Sequence, residues 1–214
     1  MEWLLDYVAY WQERYPSILN YTWEHIVISF VAIILAIILT VPLAIFMANM
    51  KNTKIKDSIF HIANILQTIP TIAMLAIMIP ILGIGFKPAV TALFLYAILP
   101  LLRNTYSGIE SIDPGIVESA KGMGFSTAQR IFKVELPVAL PYIMSGIRTT
   151  SVYVISWTAL AAVVGAGGLG DLVIGGIGYN SQNMIFTGTV LAILIALSLD
   201  FLFAKLEKNY MKSI

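Results

Sequence analysis

Glu118-Ser-Ala-Lys-Gly-Met-Gly124, with Val134-Glu-Leu-Pro137 following ten residues after the last glycine, is a polar, glycine-punctuated stretch set between long apolar ones. Asp113-Pro114 ahead of it reads as a helix start, an acidic N-cap followed by proline at the first helical position. Ile116, Val117 and Ala120 give that short helix an apolar side. Gly122 and Gly124 are expected to end it, because glycine takes the left-handed conformation that closes a helix. Ser126-Thr-Ala-Gln129 opens a second helix as a capping box. Ile131 and Phe132 form its apolar side, and Pro137 is expected to stop it. The expected unit is a helix, a glycine turn and a helix. On these residues alone it is either a surface connection or a structure that touches something outside the bilayer.

The surroundings decide which bilayer argument applies. Hydrophobic residues are 58% of the 214 and charged residues 12%, and the mean hydropathy is +0.84. Soluble domains carry about a quarter charged residues, so lipid is the expected solvent. Five apolar runs, at 25–50, 58–82, 88–109, 142–164 and 184–204, reach the roughly 20 residues that a helix needs to cross a hydrocarbon core. The expected fold class is an all-α membrane protein of five transmembrane helices, with a cytoplasmic loop at 110–140 and a cytoplasmic tail at 206–214. Residues 1–21 lack the basic n-region of a secretory signal. Instead Trp3, Tyr7, Trp11 and Tyr15 recur every four residues beside Leu4 and Val8. One aromatic stripe on a helix predicts an N-terminal interfacial segment lying at the headgroups.

Basic residues orient the spans. Lys51, Lys54 and Lys56, then Arg103, Lys121, Arg130, Lys133 and Arg148, then Lys205, Lys208 and Lys212 all fall on one side if five helices alternate, leaving Arg14 and Lys87 on the other. The N-terminus is therefore expected outside and the C-terminus in the cytoplasm.

Prolines interrupt several spans: Pro42, Pro70, Pro80 and Pro100. They kink helices for packing, or the segment Gln67-Thr-Ile-Pro-Thr71 lines a polar path with Gln67, Thr68 and Thr71. Tyr153 and Trp157, one turn apart on the fourth span, either offer aromatic faces to a cation or pack against neighbouring helices. Arg148 and Asp200 are charges inside spans that either pair or, for Arg148, snorkel to the interface.

Enzyme signals are weak. With no cysteine, disulfides and cysteine-ligated metals are excluded. His25 and His61 are far apart and outside any H-E-x-x-H pattern, so no metal site is expected. Gly165-Ala-Gly167-Gly-Leu-Gly170 spells G-x-G-x-x-G, but no strand precedes it, so a tight outer turn is expected rather than a dinucleotide site. A net charge of +1 argues against a nucleic-acid partner.

Glu118-Ser119-Ala120, Gly124, then Val134, Leu136 and Pro137 resemble the EAA loop of ABC importer permeases, in which E-A-A, three residues, G, nine residues and I-x-L-P recur. Ser119 stands for alanine and Val134 for isoleucine. The resemblance covers about 22–205, the whole membrane portion, and implies a type I ABC importer transmembrane domain. By that likeness the loop's first helix is a coupling helix docking into a groove on a separate ATPase. Glu118, Ser119, Ala120, Gly124, Phe125, Leu136 and Pro137 are then the coupling residues. ATP and magnesium belong to the partner, and this chain holds no cofactor and is not an enzyme. The implied partners are an ATPase dimer, a second permease copy or homologous permease, and an extracellular substrate-binding protein, in a bacterial cell membrane.

Arg103-Asn-Thr-Tyr-Ser-Gly-Ile109, Gln67-Thr-Ile-Pro70 and Gly167-Gly-Leu-Gly-Asp171 resemble the permeases for glycine betaine, carnitine and choline. The small five-span size and the glycine run also fit methionine-type permeases, which remain the alternative cargo class. An ion-driven secondary transporter and a scaffold without transport are the readings from other classes. The first predicts intramembrane acids, of which Asp200 alone lies well inside a span, and the second leaves the central loop unexplained.

Overall fold

A computed structural model of the chain describes residues 2–211, so the tail residue Lys212 lies outside the described residues. Among these, every regular element is helical. The first helix, α1 (Glu2–Ala48), runs unbroken through Pro16 and Pro42. At 1.5 Å per residue it is about 70 Å long, more than twice a hydrocarbon core. The N-terminal segment is thus a continuation of the first long apolar helix. Its aromatic stripe does not stand free. Trp3 stacks on Tyr7, and both meet Phe186 edge-on, while Tyr10, Trp11 and Tyr21 pack around Ile18, Leu169 and Leu172.

The run at 58–82 is not one continuous helix. It forms α2 (Thr53–Thr68) and α3 (Thr71–Leu82), which meet at 98°. Proline disfavours α-helical backbone at the residue before it, and here Ile69 is extended, at φ −71° and ψ 126°. Four other helices are long and apolar enough to cross a membrane.

The central one is α4 (Phe86–Glu110), with thirteen buried residues along its length. It packs between α1 and α7 (Leu136–Thr158). Small residues allow the close approach. A Cβ on Gly108 would lie 2.5 Å from that of Tyr142, and one on Gly146 would lie 2.6 Å from that of Asn104. The last span, α9 (Gln182–Met211), packs on α7 from outside, and only 17% of its most apolar window is buried within the chain.

Beyond α7 a 3₁₀ turn at Ala159–Val164 leads through the glycine run into a further apolar helix, α8 (Leu169–Gly178). Ten residues are too few to cross a bilayer. The run is a turn, as expected, and each glycine in it has a reason. Gly165, Gly167 and Gly168 have φ of 69°, 80° and 84°. The Gly168 amide donates to Glu24 Oε2 at 2.9 Å, where a Cβ on Gly167 would collide with the same carboxylate. The turn is pinned to α1.

Candidate coupling loop and membrane path

The central loop contains two short helices, which we label α5 (Pro114–Gly122) and α6 (Thr127–Arg130). Asp113 caps α5, accepting from the Gly115 amide at 2.7 Å. Gly124, at φ 80°, closes it in a Schellman arrangement: its amide donates to the Lys121 carbonyl and the Phe125 amide to the Ala120 carbonyl. Gly122 itself stays helical. A Cβ on Gly124 would meet nothing within 4 Å, so the requirement there is conformational. The Ser126–Gln129 capping box is formed in both directions.

Pro137 does not stop the second helix. It lies within a continuous helical stretch, because α6 continues into α7 through a π turn at Ile131–Glu135 that ends just before the proline. Leu136 and Pro137, both half-buried, therefore belong to the start of α7.

The loop's residues divide between two sides. Ala120 is 1% exposed and Val117 packs on the core, so they hold the loop to the chain. Glu118 and Ser119 are exposed, Phe125 is half-buried, and the apolar side chains Ile116, Met123 and Phe132 stand 41%, 66% and 70% exposed. An exposed apolar set rimmed by Glu118 and Lys121 has the make-up of a docking face.

The expected polar path behaves differently. Pro100 has no amide to give to the Tyr96 carbonyl one turn back, and Gln67 Nε2 donates to that carbonyl instead, at 3.2 Å. The Tyr96 hydroxyl in turn donates to the Ile69 carbonyl, freed by the α2–α3 break. Each interrupted helix supplies the partner for the other, the compensation that membrane prolines require. Gln67 is thus committed to backbone. Thr68 is exposed and donates to Ile65 O at 2.7 Å, and Thr71 opens α3, half-buried.

Tyr96 also links this break to the aromatic pair. Tyr153 and Trp157 stack at 5.7 Å between centroids, and Trp157 meets Tyr96 at 5.2 Å. The result is a row of three rings ending on Tyr153, which is 47% exposed. Sequence reading missed Tyr96, although a hydroxyl-bearing ring four residues before a mid-span proline was the available signal.

Arg148 and Asp200 do pair. The guanidinium donates Nε and Nη2 to the two carboxylate oxygens at 2.6 and 2.8 Å, and Glu207 lies 3.8 Å from Nη1. The string 103–109 is divided between neighbours: Asn104 and Gly108 face α7, while Arg103 and Tyr106 face α2. Arg103 Nη2 donates to Asn64 Oδ1 at 2.7 Å, while Lys56 Nζ donates to the Tyr106 hydroxyl at 3.2 Å. Among the described residues no three of His, Cys, Asp and Glu come together as metal ligands.

Comparison with known proteins agrees with this architecture. The family described as "Binding-protein-dependent transport system inner membrane component" matches residues 40–212. The chain is 42% identical over 202 residues to the choline transport system permease protein OpuBB of Bacillus subtilis (strain 168), covering 94% of this chain and 92% of that one. It is 41% identical over 200 residues to the carnitine transport permease protein OpuCB of Listeria monocytogenes, covering 94% and 91%. It is 40% identical over 202 residues to the glycine betaine/carnitine/choline permease protein OpuCB of Bacillus subtilis, covering 94% and 92%. A solved inward-facing structure of the MetNI methionine ABC transporter superposes with a TM-score of 0.84 at 25% identity, over 90% of this chain and 95% of that one.

Proposed function

Since the chain belongs to the family of binding-protein-dependent transport system inner membrane components and is a multi-pass permease subunit of an ABC importer, we propose that its cargo is a quaternary-ammonium osmoprotectant: glycine betaine, carnitine or choline. The observation that carries the proposal is likeness along almost the whole chain to permeases named for those three compounds. The row Tyr153–Trp157–Tyr96 supports it, because aromatic faces attract a trimethylammonium group that no acid can bind by hydrogen bonding. Methionine remains the second reading, on the strength of the solved structure it superposes on.

The energy comes from a separate ATPase that grips the exposed side of α5 through Glu118, Ser119, Ile116 and Met123, with Gly124 setting the angle of the following turn. The chain itself hydrolyses nothing. ATPase closure moves the docked helices, and the spans change from inward-open to outward-open. Two permease copies, identical or homologous, enclose the path, which five helices are too few to do alone. The apolar outer face of α9 is available to lipid or to that second copy. The N-terminus lies outside the cell and the C-terminus in the cytoplasm, the side that holds the basic loops. A secondary transporter is disfavoured, because its one candidate intramembrane acid, Asp200, is already held by Arg148.

The test is reconstitution of the permease with its ATPase and binding protein in liposomes, assayed with betaine, carnitine, choline and methionine. The proposal expects ATP hydrolysis and uptake to be stimulated by a quaternary ammonium and unaffected by methionine. Stimulation by methionine alone contradicts it, and uptake without the ATPase contradicts the energy source.

A further inference from the structure

Asn49 follows the last residue of α1, and Arg130 and Glu135 bracket the π turn at the base of the central loop. In that turn the Leu136 amide reaches back five residues to the Ile131 carbonyl. Residues five apart in an ordinary α-helix stand about 140° apart around the axis, so their side chains face different sides. The wider turn brings Arg130 and Glu135 together: Arg130 Nε donates to Glu135 Oε1. The same guanidinium donates Nη2 to Asn49 Oδ1 at 2.7 Å. Asn49 Nδ2 closes the triangle on Glu135 Oε2 at 3.3 Å.

The setting makes this more than a surface ion pair. The Arg130 and Glu135 side chains are 15% and 7% exposed, and charges this far from water persist only when paired. An extra residue in a helix sacrifices regular hydrogen bonding and tends to be kept at functional positions. Here its product is the contact itself, since an uninterrupted helix separates the two residues. The triangle also lies on the wall of a cavity of about 470 Å³ between the inner ends of α1 and α4 and the helix α5, lined also by Lys51, Glu110 and Glu118. The loop is therefore free of α1 across most of this gap and bonded to it at one polar point. Apolar neighbours slide past one another with little directional resistance, whereas a forked guanidinium resists displacement along each of its bonds.

We infer that the Asn49–Arg130–Glu135 triangle is the joint through which displacement of the central loop is passed to the inner end of α1, with Arg130 as its positioning residue. The inference rests on the reading of 118–137 as the ATPase-coupling loop. When the loop is pulled, the π turn moves with it and Asn49 follows, carrying the first span.

The experiment uses the assembled transporter, permease with ATPase and binding protein, in liposomes. Arg130→Gln combined with Glu135→Gln removes both charges at near-constant volume, so no buried charge is left unpaired. Arg130→Glu combined with Glu135→Arg keeps the pair with its sense reversed. Uptake is expressed per assembled complex and ATP hydrolysed per molecule taken up. We expect the neutral pair to retain ATPase association and hydrolysis while uptake per complex falls about tenfold, with the reversed pair recovering most of it. Unchanged uptake per complex in the neutral pair overturns the inference, including the case in which total uptake falls only because less complex assembles. Failure of the underlying reading shows elsewhere: Gly124→Asp then keeps both ATPase association and uptake, whereas failure of the joint alone leaves Gly124→Asp defective and the neutral pair active.

Discussion

Replacing Gly170 by alanine puts a methyl group where the structure has backbone. Its Cβ would lie 1.9 Å from the Ala159 carbonyl oxygen and 2.7 Å from the carbonyl carbon. To regain an ordinary contact of about 3.5 Å, the start of α8 must withdraw from the end of α7 by roughly 1.5 Å. The glycine turn before it is tied to Glu24 and cannot absorb this freely. Overpacking of this kind costs about 1–3 kcal/mol, and the backbone target puts it at the upper end. At about 2–4 °C per kcal/mol for a chain of this size, the apparent melting temperature should fall by roughly 4–12 °C. Gly178→Ala, on the same helix, is the control: its Cβ meets nothing within 4 Å, and a shift within about 0.5 kcal/mol is expected. The assay is thermal unfolding of the purified permease, with uptake measured beside it. Wild-type melting of Gly170→Ala, or equal loss in both variants, refutes the close approach of α8 to the 3₁₀ turn.

Tyr153→Leu keeps an apolar side chain and removes the ring at the exposed end of the aromatic row; KM for a quaternary ammonium should rise by about 2–30-fold, with Tyr153→Phe near wild type. An unchanged KM in Tyr153→Leu removes the ring from the path. Asp200→Asn strands the Arg148 guanidinium, for which Glu207 at 3.8 Å is only a partial substitute, and membrane abundance should fall. Arg148→Met combined with Asp200→Leu should recover most of that abundance, and failure to recover assigns the pair a role beyond mutual neutralisation.

What was legible in the chain was what is local. Asp113, Gly124 and the Ser126–Gln129 box act on backbone groups two to five residues away, and each cap forms as its residue type demands. Pro137 misled because proline ends a helix or begins one according to what precedes it. The π turn that carries α6 into α7 has no sequence mark of its own. Pro70 and Pro100 were visible as interruptions. That the first opens to a right angle and the second stays helical depends on Tyr96 and Gln67 reaching across from different helices. The aromatic spacing of the first segment is visible in the sequence. Its partner, Phe186, lies over 170 residues away, beyond any periodicity argument. Arg148 and Asp200 were identified as needing partners, and they found each other because α9 packs on α7.

The coupling loop bears the central claim, and one measurement addresses it: capture of the ATPase subunit by membranes or detergent extracts containing Gly124→Asp or Glu118→Ala, with uptake measured in the same cells. Aspartate tolerates the left-handed conformation better than most side chains and Gly124 has open space beside it, so the variant strains the cap without a steric clash while its docking surface gains a charge. Glu118 is exposed and makes no hydrogen bond or ion pair through its side chain among the described residues. The account predicts normal permease abundance with ATPase capture and uptake both reduced. Capture and uptake at wild-type levels in both variants would contradict it.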